Sequence, residues 1–322
     1  MEKRIEWIDI AKSLGIFLVV IGHTGINVFM PSVSKWIYSF HMPLFYFISG
    51  MMFNGDKYSS DFCLFFKKRF KSLIFPYILF NTIIFILCRN LGSLPSLHVD
   101  IGQLISGCGP LYFIRVLFVI EVWYLFIYKV FQKRKVFILF FIAIILLLCD
   151  YVRGINSAEL ALSSEKINWG MLLPALPLFY YGLGNLMRTT FFSLSNKGMR
   201  IIVLATFMSS ILLLPVRLCG YEIILPALIG IVFIFSLSIL LQNKMDKKIR
   251  DGITYIGRNT LIIVAFHGFI YNILKVPLSV YHFPMFIEAG IRFSLLWILL
   301  IFLISVVNKY FPWMIGKYNV LI

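Results

Sequence analysis

Three ionisable side chains lie in the first apolar stretch of the chain, 8–30: Asp9, Lys12 and His23. An imidazole with an ordinary pKa near 6.5 can take a proton from an attacking hydroxyl at neutral pH. If the stretch is an α-helix, the eleven positions from Lys12 to His23 turn about 1100°, which is three turns plus roughly 20°. The two side chains then share a face about 16 Å apart along the axis, and Asp9 lies within about 60° of both. This spacing predicts half of an active site, with Asp9 holding or orienting the lysine.

The element that must position these residues is a membrane helix. A charge held in hydrocarbon costs about 2.5 kcal/mol or more, so the polar face should look into protein or a wet cavity. The stretch lacks a small-residue cleavage site and is long enough to span, so we expect it to remain in the membrane as the first helix.

Composition supports a membrane protein with many spans. Of 322 residues, 60% are hydrophobic and only 14% are charged, whereas a soluble domain has about 45–50% apolar residues. The net charge of +16 is typical of the cytoplasmic excess of Lys and Arg that orients membrane helices, so no nucleic-acid partner is expected.

Ten windows are apolar enough to span, although the fifth is short. They are 8–30, 36–54, 70–88, 111–131, 135–150, 169–187, 200–217, 221–241, 253–275 and 286–308. With the N-terminus inside, twenty Lys and Arg fall in inner segments and six in outer segments. We therefore expect an all-α polytopic protein of about ten transmembrane helices, with both termini cytoplasmic and a single membrane domain over 1–322.

The second span carries His41, Phe45 and Ser49 at i, i+4 and i+8, which places an imidazole, an aromatic ring and a hydroxyl on one face. Pro43 removes a backbone donor and predicts local unwinding. The spacing is compatible with substrate binding by His41 and Ser49, and equally with a proline-kinked packing helix.

A basic cluster precedes the third span, which Pro76 interrupts. The cluster consists of Lys67, Lys68, Arg69 and Lys71. It is typical of a stop-transfer signal that attracts anionic lipid head groups. Alternatively, it holds the phosphates of a cytoplasmic anionic cosubstrate.

Other polar positions lie inside later spans. Arg115 and Glu121 are six residues apart and cannot form an i, i+4 pair, so each needs a partner elsewhere. In the ninth span Arg258 precedes His267, much as Lys12 precedes His23. Intramembrane ionisable residues are candidates for functional sites by default, and we take Arg115, Glu121 and His267 as candidate substrate-binding residues, with structural roles also open for all three.

Two further patterns have structural explanations. Glu288 and Arg292 stand at i, i+4 with the acid first, which is sufficient for a helix salt bridge. The five cysteines show neither paired CxxC spacing nor a histidine cluster, so no metal site and no disulfide framework are expected.

Several stretches together resemble the membrane acyltransferase type 3 family, which includes sugar O-acetyltransferases such as fucose 4-O-acetylase-like proteins. The resembling stretches are WIDIAKSLGIFLVVIGH (7–23), FHMPLFYFISGMMF (40–53), KKRFKSLIFPYILF (67–80), GPLYFIRVLF (109–118) and RNTLIIVAFHG (258–268). The chain departs from the family at Lys12, where many members have Arg, and at Tyr112, where Trp is frequent. Lysine keeps the positive charge but gives up bidentate phosphate binding.

The resemblance implies an enzyme that passes an acyl group, usually acetyl from cytoplasmic acetyl-CoA, to a hydroxyl of a sugar or lipid-linked glycan. It implies that His23 is the catalytic histidine and Lys12 its paired basic residue. Lys12 and the basic cluster would meet the coenzyme A phosphates while the thioester reaches His23, and Asn27 would fix the imidazole ring. His23 could act as a base or as a transient acyl carrier.

The location that we expect is the bacterial inner (plasma) membrane, in contact with membrane lipids. A transporter or flippase for a glycan or small anionic solute is the alternative, in which the polar positions line a substrate or proton path. Its usual signs, inverted repeats and paired broken helices, are weak in this sequence.

Overall fold

The computed structural model describes residues 5–90, 111–131, 134–159, 174–193, 196–213, 224–279 and 284–317. Every regular element in these ranges is helical, which confirms the all-α prediction. The α-helices are α1 (Glu6–His23), α2 (Ile26–Phe29), α3 (Pro31–Met51), α4 (Gly55–Ser60), α5 (Phe62–Arg69), α6 (Phe75–Asn90), α7 (Tyr112–Val130), α8 (Lys135–Glu159), α9 (Ala175–Ser193), α10 (Asn196–Leu213), α11 (Ile224–Lys244), α12 (Lys247–Arg258), α13 (Thr260–Ser279) and α14 (Met285–Tyr310). A π-helical turn, Phe70–Ile74, joins α5 to α6, and a 3₁₀ turn, Pro312–Ile315, follows α14.

Long apolar helices characterise an integral membrane protein. Three stretches within the described ranges are long and apolar enough to cross a bilayer: Phe62–Arg89, Ile224–Lys244 and Phe286–Tyr310. A bent pair of helices, Lys247–Arg258 with Thr260–Lys275, passes the same test when taken as one span. The ten spans and the cytoplasmic location of both termini remain predictions.

The first span is shorter than the predicted 8–30, because α1 ends at His23. Gly25 has a φ of +82°, in the left-handed region that glycine adopts at low cost and that commonly ends helices. The backbone N–H of Thr24 and its hydroxyl both donate to the carbonyl of Ile21, at 3.1 Å and 2.8 Å. His23 is therefore the last residue of its helix rather than an interior one.

The predicted ninth span, 253–275, is also interrupted. The chain bends by 74° between α12 and α13, and the bend lies at the buried Asn259. The Asn259 amide donates to the Tyr255 carbonyl at 2.8 Å, and its oxygen accepts from the Asn308 amide at 2.8 Å. These bonds supply partners in apolar surroundings at a point where the helix is broken.

Proline has different effects in the predicted second and third spans. The local unwinding predicted at Pro43 does not occur, since α3 continues through it to Met51. Before Pro76 the helix widens into the π turn Phe70–Ile74. A wider turn accommodates the missing N–H and the proline ring, which would clash with the carbonyl four residues earlier.

The chain forms two compact units. The first comprises Met1–Leu44, Phe75–Tyr112 and Ser195–Ile322, and the second Phe45–Ile74 and Phe113–Leu194. The single domain over 1–322 remains a prediction.

In the first unit α1 is the central helix and packs against α11, α12 and α13. Its Trp7 ring lies 5.4 Å from the ring of Phe235 on α11. A Cβ at Gly257 on α12 would overlap the backbone carbonyl of Asp9, so only glycine permits this approach. The Ser13 hydroxyl also donates to the Ile253 carbonyl.

In the second unit the end of α3 and the middle of α9 approach backbone to backbone. A Cβ at Gly50 would overlap the Tyr181 carbonyl, and a Cβ at Gly184 would overlap the Phe47 carbonyl. Asn185 strengthens this contact, since its side-chain amide donates to the Gly50 carbonyl at 3.1 Å.

Candidate active site

Helix α1 places Asp9, Lys12 and His23 on one continuous α-helix, as the sequence spacing requires. Asp9 is buried, and its carboxylate lies 4.0 Å from the Lys12 ammonium. His23 is exposed at the end of the helix. The described residues offer its ring nitrogens no hydrogen-bond partner, so these nitrogens are available to a substrate.

The rings of two other histidines and a tyrosine lie near His23. The ring centroid of His267 on α13 lies 5.1 Å from that of His23. The ring centroid of Tyr38 on α3 lies 6.0 Å from that of His23 and 5.0 Å from that of His41. Two candidate residues from other helices, His267 and His41, are thus brought towards His23 within the first unit.

The two flanking histidines are held by their own helices. Nδ1 of His267 lies 2.8 Å from the Ile263 carbonyl oxygen, and Nδ1 of His41 lies 2.9 Å from that of Ile37. A carbonyl oxygen only accepts, so each Nδ1 carries the proton. In the neutral rings Nε2 is then the acceptor, which fixes the tautomer of both.

Tyr38 is a site residue that the sequence did not identify. Its hydroxyl donates to the Gly22 carbonyl at 3.1 Å, and a Cβ at Gly22 would contact its ring at 3.5 Å. The ring therefore rests on the last turn of α1, directly before His23. The available signal was its position three residues before His41, on the same helical face.

Arg258 is a second residue that was noted in the sequence but given no role. Its Nε lies 3.3 Å from the Asp9 carboxylate, on the oxygen that does not face Lys12. The Arg258 side chain is 39% exposed and the Lys12 side chain 29%, whereas that of Asp9 is 4% exposed. One buried acid thus holds two cations that both reach solvent.

The predicted Glu288–Arg292 salt bridge is confirmed. The structure adds Tyr271, whose hydroxyl accepts from Nη1 of Arg292 at 3.0 Å. That hydroxyl lies 3.6 Å from a Cβ built on Gly25, so the group adjoins the turn that follows His23.

The partner that the sequence required for Glu121 is Arg69, in the second unit. Nε of Arg69 lies 2.6 Å from Oε2 of Glu121, and Glu121 is 2% exposed. The guanidinium lies over the rings of Tyr58 and Phe65, at 5.4 Å and 5.9 Å. A hydrogen bond from the Tyr181 hydroxyl to Glu121, at 3.5 Å, completes the group.

The remaining candidates are not brought to His23 by any described contact. Lys67, Lys68 and Lys71 are exposed in the second unit, and Ser49 and Arg115 are partly buried there. Asn27 lies in α2, and its side chain is outside the described part of the chain. The phosphate-binding and substrate-binding roles of these residues remain predictions.

Comparison with known proteins identifies the family. The family model described as an acyltransferase domain, that of the type 3 acyltransferases, matches residues 5–314, nearly the whole chain. No curated protein and no solved structure matches. The chain is therefore a member of the membrane acyltransferase type 3 family.

Proposed function

We propose that this acyltransferase transfers acetyl from cytoplasmic acetyl-CoA to a hydroxyl of a sugar or lipid-linked glycan, with His23 as the general base. The observation that carries the proposal is the exposed His23 ring at the end of α1, with both nitrogens open to a substrate. Lys12 and the Arg258 side chain of α12 flank Asp9 near the other end of α1. We assign the protein to the bacterial inner membrane, where acetyl-CoA and lipid-linked glycans meet.

The distance along α1 supports a coenzyme A thioester as the donor. Lys12 and His23 are about 16 Å apart along a helix, a length comparable to the extended pantetheine arm. A donor with its phosphates at Lys12 can therefore present its thioester at His23.

The reaction follows from these positions. His23 takes the proton of the acceptor hydroxyl, and the hydroxyl oxygen bonds to the thioester carbonyl carbon. The carbon–sulfur bond breaks, and the imidazolium returns the proton to the departing thiolate. The products are the O-acetylated acceptor and coenzyme A.

The neighbouring rings support His23 as the base. His267 presents an unprotonated Nε2 when neutral, and its ring centroid lies 5.1 Å from that of His23. A neutral neighbouring ring adds no positive charge beside the imidazolium that His23 becomes when it takes the proton. Radiolabelled acetyl retained on the protein without acceptor would instead identify His23 as an acyl carrier.

The first experiment compares His23→Ala with wild type. Cells that make either protein are compared by mass spectrometry of surface glycans, and the membrane level of each protein is measured. We expect the amount of acetylated glycan to fall at least about a hundredfold in His23→Ala, because general-base catalysis is lost. Thr24→Ala is the matched control, since it removes only a hydroxyl bonded to the Ile21 carbonyl. Acetylation retained by His23→Ala at equal membrane level would refute the proposal.

One observation favours transport as a second function. The bend at Asn259 interrupts a span, and broken helices are typical of transporter substrate sites. However, the described ranges contain one such bent pair, whereas transporters with inverted repeats have two. Heat protection of the purified protein by acetyl-CoA, lost in Lys12→Gln, would favour the enzyme, and its absence would favour transport.

A further inference from the structure

We propose that Arg258 is a phosphate-binding residue for the acyl donor, and that together with Lys12 it recognises the nucleotide end of coenzyme A. This inference rests on the proposed function, because it concerns the donor of that reaction. It assigns a role to a residue 249 positions away from Asp9 in sequence.

Two cations flank one buried carboxylate on this part of α1. Asp9 contributes one negative charge, and the two side chains that flank its carboxylate contribute two positive charges. The acid is buried while both cations reach solvent. An anion from outside the protein can therefore approach the Lys12 ammonium and the Arg258 guanidinium.

Arginine supplies the geometry that lysine lacks. The Arg258 guanidinium bonds to Asp9 through Nε, the nitrogen nearest the side-chain stem. Among the described residues Asp9 is its partner, and the two terminal nitrogens remain to bind a phosphate in bidentate fashion. Lys12 offers only a point charge, so Arg258 restores the planar fork at this position.

The position of Arg258 matches the far end of the donor. Asp9 is fourteen residues before His23, or about 21 Å along the helix, so Arg258 lies about one turn beyond Lys12. With the thioester at His23, the pantetheine arm extends past Lys12 towards Arg258. The diphosphate then meets both cations.

The packing of α12 fixes Arg258 in place. Gly257 allows the backbone of α12 to touch that of α1 at Asp9. The Ser13 hydroxyl also bonds to the Ile253 carbonyl, one turn before Gly257. Arg258 is therefore preorganised beside Asp9, which reduces the entropy lost when a phosphate binds.

The experiment measures binding of coenzyme A and of pantetheine to the purified full-length protein by thermal shift. Pantetheine lacks the nucleotide and its phosphates. We expect Arg258→Gln to weaken coenzyme A binding about tenfold or more, since a charged hydrogen bond is lost. Pantetheine binding should not change. Arg250→Gln is the matched control on the same helix, because Arg250 pairs with Glu6 rather than Asp9.

A double variant separates binding from a purely structural role. If Arg258 only neutralises Asp9, then Asp9→Asn combined with Arg258→Gln should restore coenzyme A affinity. If Arg258 binds phosphate, the double variant stays weak. Restoration, or equal losses for coenzyme A and pantetheine in Arg258→Gln, would overturn the inference.

The outcome also distinguishes this inference from the proposed function. Wild-type protein that binds coenzyme A, together with an Arg258→Gln variant that binds it equally well, refutes the role of Arg258 alone. Wild-type protein that binds neither coenzyme A nor acetyl-CoA refutes the donor of the proposed reaction and this inference with it.

Discussion

Asp9 in the first unit and Glu121 in the second are both buried carboxylates on apolar helices, and each bonds to an arginine. Glu121 has a closed group of partners, since Arg69 is 20% exposed and is covered by aromatic rings. Asp9 has two cations that both reach solvent. We therefore expect the Asp9 group, whose cations reach solvent, to bind a ligand, and the Glu121 group, whose arginine is covered by aromatic rings, to stabilise the packing.

The largest effect on stability is expected at Glu121. Glu121→Gln leaves the Arg69 guanidinium buried without a counter-ion, which should cost about 3–5 kcal/mol of unfolding free energy. Thermal melting of the purified protein in detergent measures the loss, with the exposed Lys67→Gln as control. A variant that melts like wild type but no longer acetylates would instead favour the substrate-binding role predicted for Glu121, and would break the comparison.

A smaller loss of unfolding free energy is expected for Gly257→Ala. The Cβ of Gly257→Ala would press on the Asp9 carbonyl, and overpacking of this kind costs about 1–3 kcal/mol. Because Arg258 is the next residue, coenzyme A affinity should fall as well.

Two glycine variants control for this change. A Cβ at Gly252 on the same helix has nothing within 4 Å, so Gly252→Ala should be neutral or stabilising through helix propensity. Gly184→Ala meets the Phe47 carbonyl in the second unit and should lower stability without a specific effect on coenzyme A affinity. Equal donor affinity in Gly257→Ala and wild type would contradict the link between this packing and Arg258.

The smallest stability loss is expected at Asp9. Asp9→Asn leaves two cations that water can solvate, so the cost should be about 1 kcal/mol, well below that of Glu121→Gln. Melting curves of the two variants in one detergent test the comparison directly. A loss at Asp9 as large as that at Glu121 would mean that the Asp9 group is also a packing element.

Features set by neighbouring residues could be predicted from the sequence. The shared face of Lys12 and His23 and the Glu288–Arg292 bridge follow from helix geometry over a few turns. The end of α1 at His23 and the bend at Asn259 were missed, because an apolar window reports hydrophobicity and not backbone conformation. The unwinding predicted at Pro43 was wrong in the opposite sense, because it placed a break where α3 remains helical.

The sequence by itself determined the family resemblance, the apolar helices, and the acid, lysine and histidine on the first of them, because these depend on composition and on the fixed period of the α-helix. Only the tertiary structure decided that Asp9 pairs with Arg258, that Glu121 pairs with Arg69, and that His267 lies beside His23. These pairs join helices far apart in the chain. Their choice depends on which helix faces pack together, which no local spacing specifies.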